Sequence, residues 1–71
     1  MRIRFVEDCR LEIVAAYDEA SDETKRVIDE FPAGTIVDVD ITDEYDTATS
    51  WQFADGSLAC GVPNELFQRI D

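Results

Sequence analysis

The stretch WQFADGSLACGV, residues 51–62, decides the fold of this 71-residue chain. It begins with large alternating side chains, turns at Asp55-Gly56 and returns through a second apolar run. An Asp-Gly pair between two such runs is a strong signal for a β-hairpin with a two-residue turn. Trp51 and Phe53 are two residues apart and therefore share one strand face. We expect both rings in the core, and an exposed Trp51 at a binding surface is the alternative.

Residues 35–41, TIVDVDI, carry the clearest strand pattern outside that hairpin. Val37, Val39 and Ile41 share one face, which we expect to point inward, while the two intervening aspartates share the other. This alternation of apolar and acidic residues predicts a strand that is buried on one side and in water on the other.

Two runs near the N-terminus also have the composition of strands. Residues 2–8, RIRFVED, place Ile3 and Phe5 on one face, and residues 11–17, LEIVAAY, are rich in β-branched and aromatic side chains. They form either two strands joined by a turn or one long bent strand.

Two segments are less clear. Residues 21–31 allow a helix capped by Ser21, but we favour a strand or an irregular loop arm, ended in either case by Pro32. Residues 42–49, TDEYDTAT, are acidic and read as a loop or a distorted hairpin end, with Tyr45 exposed.

The net charge of the chain limits the classes of partner that it can bind. Seventeen Asp and Glu stand against six Lys and Arg, giving a formal net charge of −11. Nucleic-acid binding depends on Lys and Arg that displace counterions from phosphates, so direct DNA or RNA binding is not expected. An anionic membrane is repelled in the same way, and no apolar run approaches the length of a membrane span. A basic protein or peptide is the partner class that remains.

The residues that carry chemistry are few, and we expect no enzyme, no cofactor and no metal site. The chain has no His, and Cys9 and Cys60 lie far apart without a Cys-x-x-Cys motif. We expect two part-buried free thiols in a reducing cytoplasm, with a disulfide as the minor alternative. The first residues, MRIRFVED, contain no uninterrupted apolar run and no small-residue cleavage site, so we expect no signal peptide.

From Tyr17 to Ile70 the chain resembles the Src-homology-3 fold, or a bacterial or phage relative of it. The motifs that carry the resemblance are AAYDE at 15–19, FPAGTIVDVDI at 31–41 and GVPNELFQRI at 61–70, in the family's order. The resemblance implies one all-β domain over residues 1–71. That domain is a small SH3-like barrel of about five to six strands, with one short 3₁₀ turn near Pro63–Leu66. Residues 1–16 then form an N-terminal strand or hairpin extension.

The whole chain is also similar to many small phage, prophage and mobile-element proteins, and this likeness brings no catalytic residues with it. In the Src-homology-3 family, aromatic residues form a groove for a polyproline helix, and acidic loop residues pair with Arg or Lys. The ligand-binding positions that the resemblance implies here are Tyr17, Asp18, Glu19, Trp51 and Pro63. Glu19 and Leu66 replace two Tyr residues of the family, so the groove lacks two aromatic walls.

Five carboxylates crowd into nine residues: Asp38, Asp40, Asp43, Glu44 and Asp46. They do not match the EF-hand loop, because its turn Gly and its final Glu are replaced by Asp43 and Thr49. We expect a solvated acidic face.

Three functions follow from these features. The first is a non-enzymatic interaction module, a monomer or weak homo-oligomer, that binds a basic or Arg/Lys-bearing protein or peptide through the acidic face. The second is an acidic inhibitor that mimics DNA, because strand carboxylates at i and i+2 are about 6.6–6.8 Å apart and form a phosphate-like row. The third is a structural subunit that oligomerises through strand edges.

Overall fold

Strands account for most of the chain in the computed structural model, which describes residues 1–70. The seven strands are β1 (Arg2–Phe5), β2 (Cys9–Asp18), β3 (Glu23–Phe31), β4 (Ile36–Glu44), β5 (Ala48–Phe53), β6 (Leu58–Pro63) and β7 (Phe67–Arg69). A 3₁₀ turn at Asn64–Leu66 precedes β7. The all-β class and the 3₁₀ turn are confirmed. Seven strands exceed the expected five to six, because the N-terminal runs are two strands and residues 23–31 are a third.

All strand pairs are antiparallel, and the sheet is open, in the order β3-β2-β6-β5-β4-β1-β7. Strand β1 pairs with β4 on one side and with β7 on the other, so the first and last strands of the chain are neighbours in the sheet. Strands β2 and β6 meet at only two residue pairs, Ile13 with Ala59 and Val14 with Leu58. The part of the β2–β3 hairpin beyond Val14 therefore has no strand beside it on the β6 side.

The core forms where the alternating faces of the strands meet. Its buried apolar residues are Ile3, Phe5, Ile13, Val39, Trp51, Ala59, Val62 and Phe67. Trp51 is fully buried, and its ring centroid lies 5.0 Å from that of Phe67 in an edge-to-face arrangement. Phe53 is half-buried against this cluster. The prediction that the face of Trp51 and Phe53 points inward is confirmed, and so is the inward face of Ile3 and Phe5.

The hairpin between β5 and β6 is present, but its turn is one residue longer than predicted. The Phe53 N–H donates to the Ser57 carbonyl at 2.8 Å, and the Gly56 N–H donates to the Phe53 carbonyl at 3.0 Å. Three residues, Ala54, Asp55 and Gly56, form the loop between those bonded positions. Gly56 has φ +91°, the left-handed conformation that closes three-residue hairpin loops.

The Asp55 carboxylate accepts two hydrogen bonds from Ser57, one from Oγ at 2.5 Å and one from the backbone N–H at 2.9 Å. These bonds hold the Asp55 pKa below its usual value, the hydroxyl bond contributing most. A depressed folded-state pKa stabilises the fold above the unfolded-state pKa, and that contribution is lost as pH falls through the folded value. We expect Ser57→Ala to raise the midpoint of Asp55 in an NMR carboxyl titration. An unchanged midpoint would contradict this account.

The structure has different outcomes for the two segments that the sequence left unclear, residues 21–31 and 42–49. Residues 21–31 are mostly strand, as favoured, since β3 covers Glu23–Phe31. Of the two alternatives for residues 42–49, the loop is wrong and the distorted hairpin end is confirmed, because β4 continues to Glu44, β5 begins at Ala48 and their pairing has a bulge at Thr42. The Tyr45 N–H closes the remaining tight turn by donating to the Ala48 carbonyl at 2.9 Å, and the Tyr45 side chain is exposed as expected.

Candidate interaction surfaces

A β-bulge in β4 brings three of the five predicted acidic residues to one face. Ile41 pairs with Trp51 and Asp43 pairs with Ser50, so Thr42 is an extra residue on β4. Trp51 points into the core, and Ser50, its neighbour, points the other way. Asp43 therefore lies on the outer face, where Asp38 and Asp40 also lie. We call Asp38, Asp40 and Asp43 the carboxylate row.

The other two acidic residues leave that row. Glu44 pairs with Thr49, which is buried, so it lies on the opposite face and forms an ion pair with Arg69 of β7. Asp46 lies in the turn between β4 and β5. The acidic face predicted from sequence is therefore smaller than expected, because the bulge reverses the alternation at Thr42.

The surroundings of the row contain few positive charges. No Lys or Arg lies between Val27 and Gln68, a stretch that includes β4, β5 and β6. Arg2 of β1 pairs with Asp38 across strands at an Nε–Oδ1 distance of 3.4 Å and is the one base that forms an ion pair with the row within residues 1–70. Arg4, also on β1, pairs in register with Ile36, two residues before Asp38. Both side chains are mostly exposed, so this ion pair contributes little to stability. Asp40 and Asp43 form no ion pair within residues 1–70.

A shallow depression of about 110 Å³ lies beside the row. Met1, Asp38, Asp40 and Gln52 line it, together with Val39 and Ala54. Gln52 pairs with Asp40 across β4 and β5 and donates from Nε2 to the Gly56 carbonyl at 3.2 Å, so its amide oxygen is free to accept. Two carboxylates and an amide oxygen around one recess suit a cationic side chain. Sequence reasoning missed Arg2, Met1 and Gln52, because only the non-local pairing of β1 and β5 with β4 brings them there.

The five ligand-binding positions implied by the resemblance do not form one surface. From the Ile13–Ala59 pair, β2 and β6 run in opposite directions, so Tyr17 and Pro63 lie toward opposite ends of these strands. Trp51 is 0% exposed and cannot contact a ligand. Assigning Trp51 to a groove beside Tyr17 is therefore corrected: it is a core residue, because a small sheet needs its largest side chain to fill the interior.

Tyr17, Asp18 and Glu19 lie at the exposed end of the β2–β3 hairpin. The Tyr17 hydroxyl donates to the Asp22 carboxylate, and this bond raises the Tyr17 pKa. The Asp18 carboxylate accepts from the Ala20 N–H at 3.0 Å, and Asp22 has φ +54°, so these side chains close the turn itself. Their hydrogen bonds account for Asp18 and Asp22 as turn formers, whereas Glu19 is exposed.

Reactive side chains are sparse in the described part of the chain. Cys9 and Cys60 are both free, with Cys9 half-buried and Cys60 exposed. Burial raises the pKa of the Cys9 thiol, and the nearby charges of Glu7 and Asp8 raise it further, so the thiol stays protonated at neutral pH. Within residues 1–70, no three His, Cys, Asp or Glu side chains are grouped so that they would hold a metal ion.

Comparison with known proteins places the chain in no group: no family model, curated protein or solved structure matches it. Over residues 1–70, no helix has the length and apolar character needed to cross a membrane.

Proposed function

We propose that this chain is a non-enzymatic interaction module that binds a basic, Arg- or Lys-bearing protein or peptide through the carboxylate row of β4. The observation that carries the proposal is the alignment of Asp38, Asp40 and Asp43 on one exposed face beside a recess, where Asp40 and Asp43 form no ion pair within residues 1–70. A cationic side chain of the partner would enter the recess between Asp38 and Asp40.

Because the carboxylates of the row are exposed to water, each ion pair with a partner would be weak. Ion pairs in water contribute about 0.2–1 kcal/mol each, so a single Arg would bind weakly. A partner with several bases would engage the whole row, and the net charge of −11 would speed its approach through long-range attraction. The proposal therefore describes a fast, salt-sensitive association with an extended basic segment.

The finer description of the fold is part of the same proposal. We propose that the seven-stranded sheet curls into an SH3-like barrel. The supporting features are its antiparallel strands, the core on its inner face and the 3₁₀ turn before β7. A phage or other mobile-element origin and a reducing cytoplasm fit the small acidic chain and its two free thiols.

A charge-matched pair of variants tests the role of the row. The probe is a fluorescent peptide of four Arg-Ser repeats, titrated by anisotropy at about 0.15 M salt. Asp40→Asn/Asp43→Asn removes two charges from the row, and Glu7→Gln/Glu65→Gln removes two exposed charges elsewhere. We expect about fivefold weaker binding for the first variant and under twofold for the second. Equal losses of affinity in the two variants would show that only the net charge matters and would contradict the proposal.

Arg2 provides a test of opposite sign in the same assay. Because Arg2 forms an ion pair with Asp38 and so competes with the peptide, Arg2→Ala should tighten peptide binding. The control is Arg10→Ala, which makes the same charge change on β2 and should tighten binding less. If Arg10→Ala has the same effect as Arg2→Ala, then the position of Asp38 is irrelevant to binding.

The carboxylate row also supports the second candidate function, an inhibitor that mimics DNA. Asp38 and Asp40 are at i and i+2, about 6.6–6.8 Å apart along the strand, and the bulge adds Asp43 to the same face. A DNA-binding protein held on an affinity column of this chain should then be released by duplex DNA at constant salt. Release by the Arg-Ser peptide but not by duplex DNA favours the interaction module.

A further inference from the structure

Strand β3 is one of the two edges of the sheet. Within residues 1–70 it pairs with β2 alone, over its whole length, so the backbone N–H and C=O groups on its other side have no strand partner. An open edge of nine residues is long enough to accept another strand.

The charges of β3 are ordered so that the strand complements itself. It reads ETKRVIDEF, with Lys25 and Arg26 before the apolar centre and Asp29 and Glu30 after it. Antiparallel pairing with an identical strand reverses this order, so a register centred on Ile28 sets Arg26 of each copy opposite Glu30 of the other, while Lys25 faces Phe31. Opposite charges directly across strands stabilise a sheet by roughly 0.2–1 kcal/mol per pair, and like charges destabilise it.

We propose that two copies of this chain form a homodimer by antiparallel pairing of β3 with β3, centred on Ile28. In this register Ile28 faces Ile28 of the second copy, and Arg26 faces Glu30 of the second copy on each side of the two-fold axis. Ile28 is 56% exposed in the single chain, so the contact buries an apolar side chain that otherwise lies in water.

Contacts already present in the chain extend this pattern. Arg10 of β2 pairs with Glu30 at an Nε–Oε1 distance of 3.4 Å, and Arg26 pairs with Glu12 of β2 at 3.4 Å. Across the dimer, Glu30 of one copy, already paired with Arg10, would also face Arg26 of the other copy, which is paired with its own Glu12. The four side chains would alternate in sign across four adjacent strands.

The local charge of β3 explains why so acidic a chain would associate here. Edge charges of one sign keep strands apart. Strand β3 instead holds two of the six bases of the chain and three acids, so its net charge is −1 while the chain carries −11. Repulsion between the remaining acids of the two copies is screened beyond about 8 Å at physiological salt. The two-fold contact therefore uses a segment whose net charge is far smaller than that of the whole chain.

A charge swap tests the register. Sedimentation is measured between about 1 µM and about 1 mM for the wild type, Arg26→Glu, Glu30→Arg and an equal mixture of the two variants. We expect the wild type to dimerise and each single variant to dimerise at least tenfold more weakly, because like charges then face each other twice. The mixture should recover dimers, since both pairs are again of opposite sign. A wild type that stays monomeric at all concentrations, or a mixture that does not recover, overturns the proposal.

A crosslink tests the centre of the contact. Facing residues of antiparallel strands have Cα atoms about 4.5–5.5 Å apart, which a disulfide spans. In a chain with Cys9→Ser and Cys60→Ser, oxidised Ile28→Cys should form a covalent dimer in high yield. Thr24→Cys, also exposed on β3, would lie about 26 Å from its copy and should not. Equal crosslinking of both variants would exclude this register.

Discussion

Replacing Trp51 with Ala is expected to unfold the chain at 25 °C. Trp51 is 0% exposed and contacts the rings of Phe5, Phe53 and Phe67, with centroid distances from 5.0 to 6.3 Å. Truncating a buried Trp to Ala costs about 3–5 kcal/mol. A domain of this length has a total stability of roughly 4–11 kcal/mol, and so small a chain is expected near the lower end, where the loss takes most or all of it.

Far-UV circular dichroism and a thermal melt measure the effect of Trp51→Ala directly. The matched control is Tyr45→Ala, since Tyr45 is 61% exposed and its truncation should change stability by no more than about 0.5 kcal/mol. Trp51→Phe should keep the fold, because it retains an aromatic ring and removes the indole N–H, which is buried without a hydrogen-bond partner. A Trp51→Ala chain that melts within a few degrees of the wild type would refute the assigned core.

Replacing Phe5 with Ala is expected to cost about 3–5 kcal/mol and to lower the melting temperature by at least about 12 °C. The Phe5 ring is 0% exposed and stacks on Phe31, the last residue of β3, at a centroid distance of 4.7 Å. Its backbone N–H also donates to the Thr35 carbonyl at 2.9 Å. Phe5 thus holds the base of the β2–β3 hairpin to the rest of the sheet.

Hydrogen exchange separates this role from a general loss of stability. In Phe5→Ala, amide protection should fall more in β2 and β3 than in β4 and β5, because the ring is the contact of β1 with Phe31. Val6→Ala is the control, since Val6 is adjacent but 42% exposed and should leave protection unchanged. All samples are compared at one protein concentration, because dimerisation would also raise apparent stability. A uniform fall in protection would contradict the assigned role.

The alternation of apolar residues carried most of the correct prediction of the fold. Ile3, Phe5, Val39 and Trp51 are buried where a period of two places them, because a strand that covers a core has no other way to arrange its side chains. The turn after Phe53 was predicted one residue too short, since Asp-Gly fits both a two-residue turn and a three-residue loop with a left-handed Gly.

The candidate site was less accessible to sequence reasoning. Its acids are visible in residues 38–46, but the bulge at Thr42 that sorts them between two faces depends on the register with β5. Arg2 reaches Asp38 only because β1 pairs with β4, more than thirty residues away in the chain. The resemblance grouped Tyr17 with Pro63, yet the antiparallel pairing of β2 and β6 separates them. Each of these facts is a property of pairing between distant segments.

The fully enclosed indole of Trp51 gives the chain a built-in optical probe. It is the one tryptophan of the sequence, so its fluorescence reports a single site without any label. Emission should be blue-shifted, and iodide or acrylamide in solution should quench it poorly until denaturant admits water. A change in its spectrum when a ligand binds would therefore mean that the interior has rearranged, because nothing outside touches the ring.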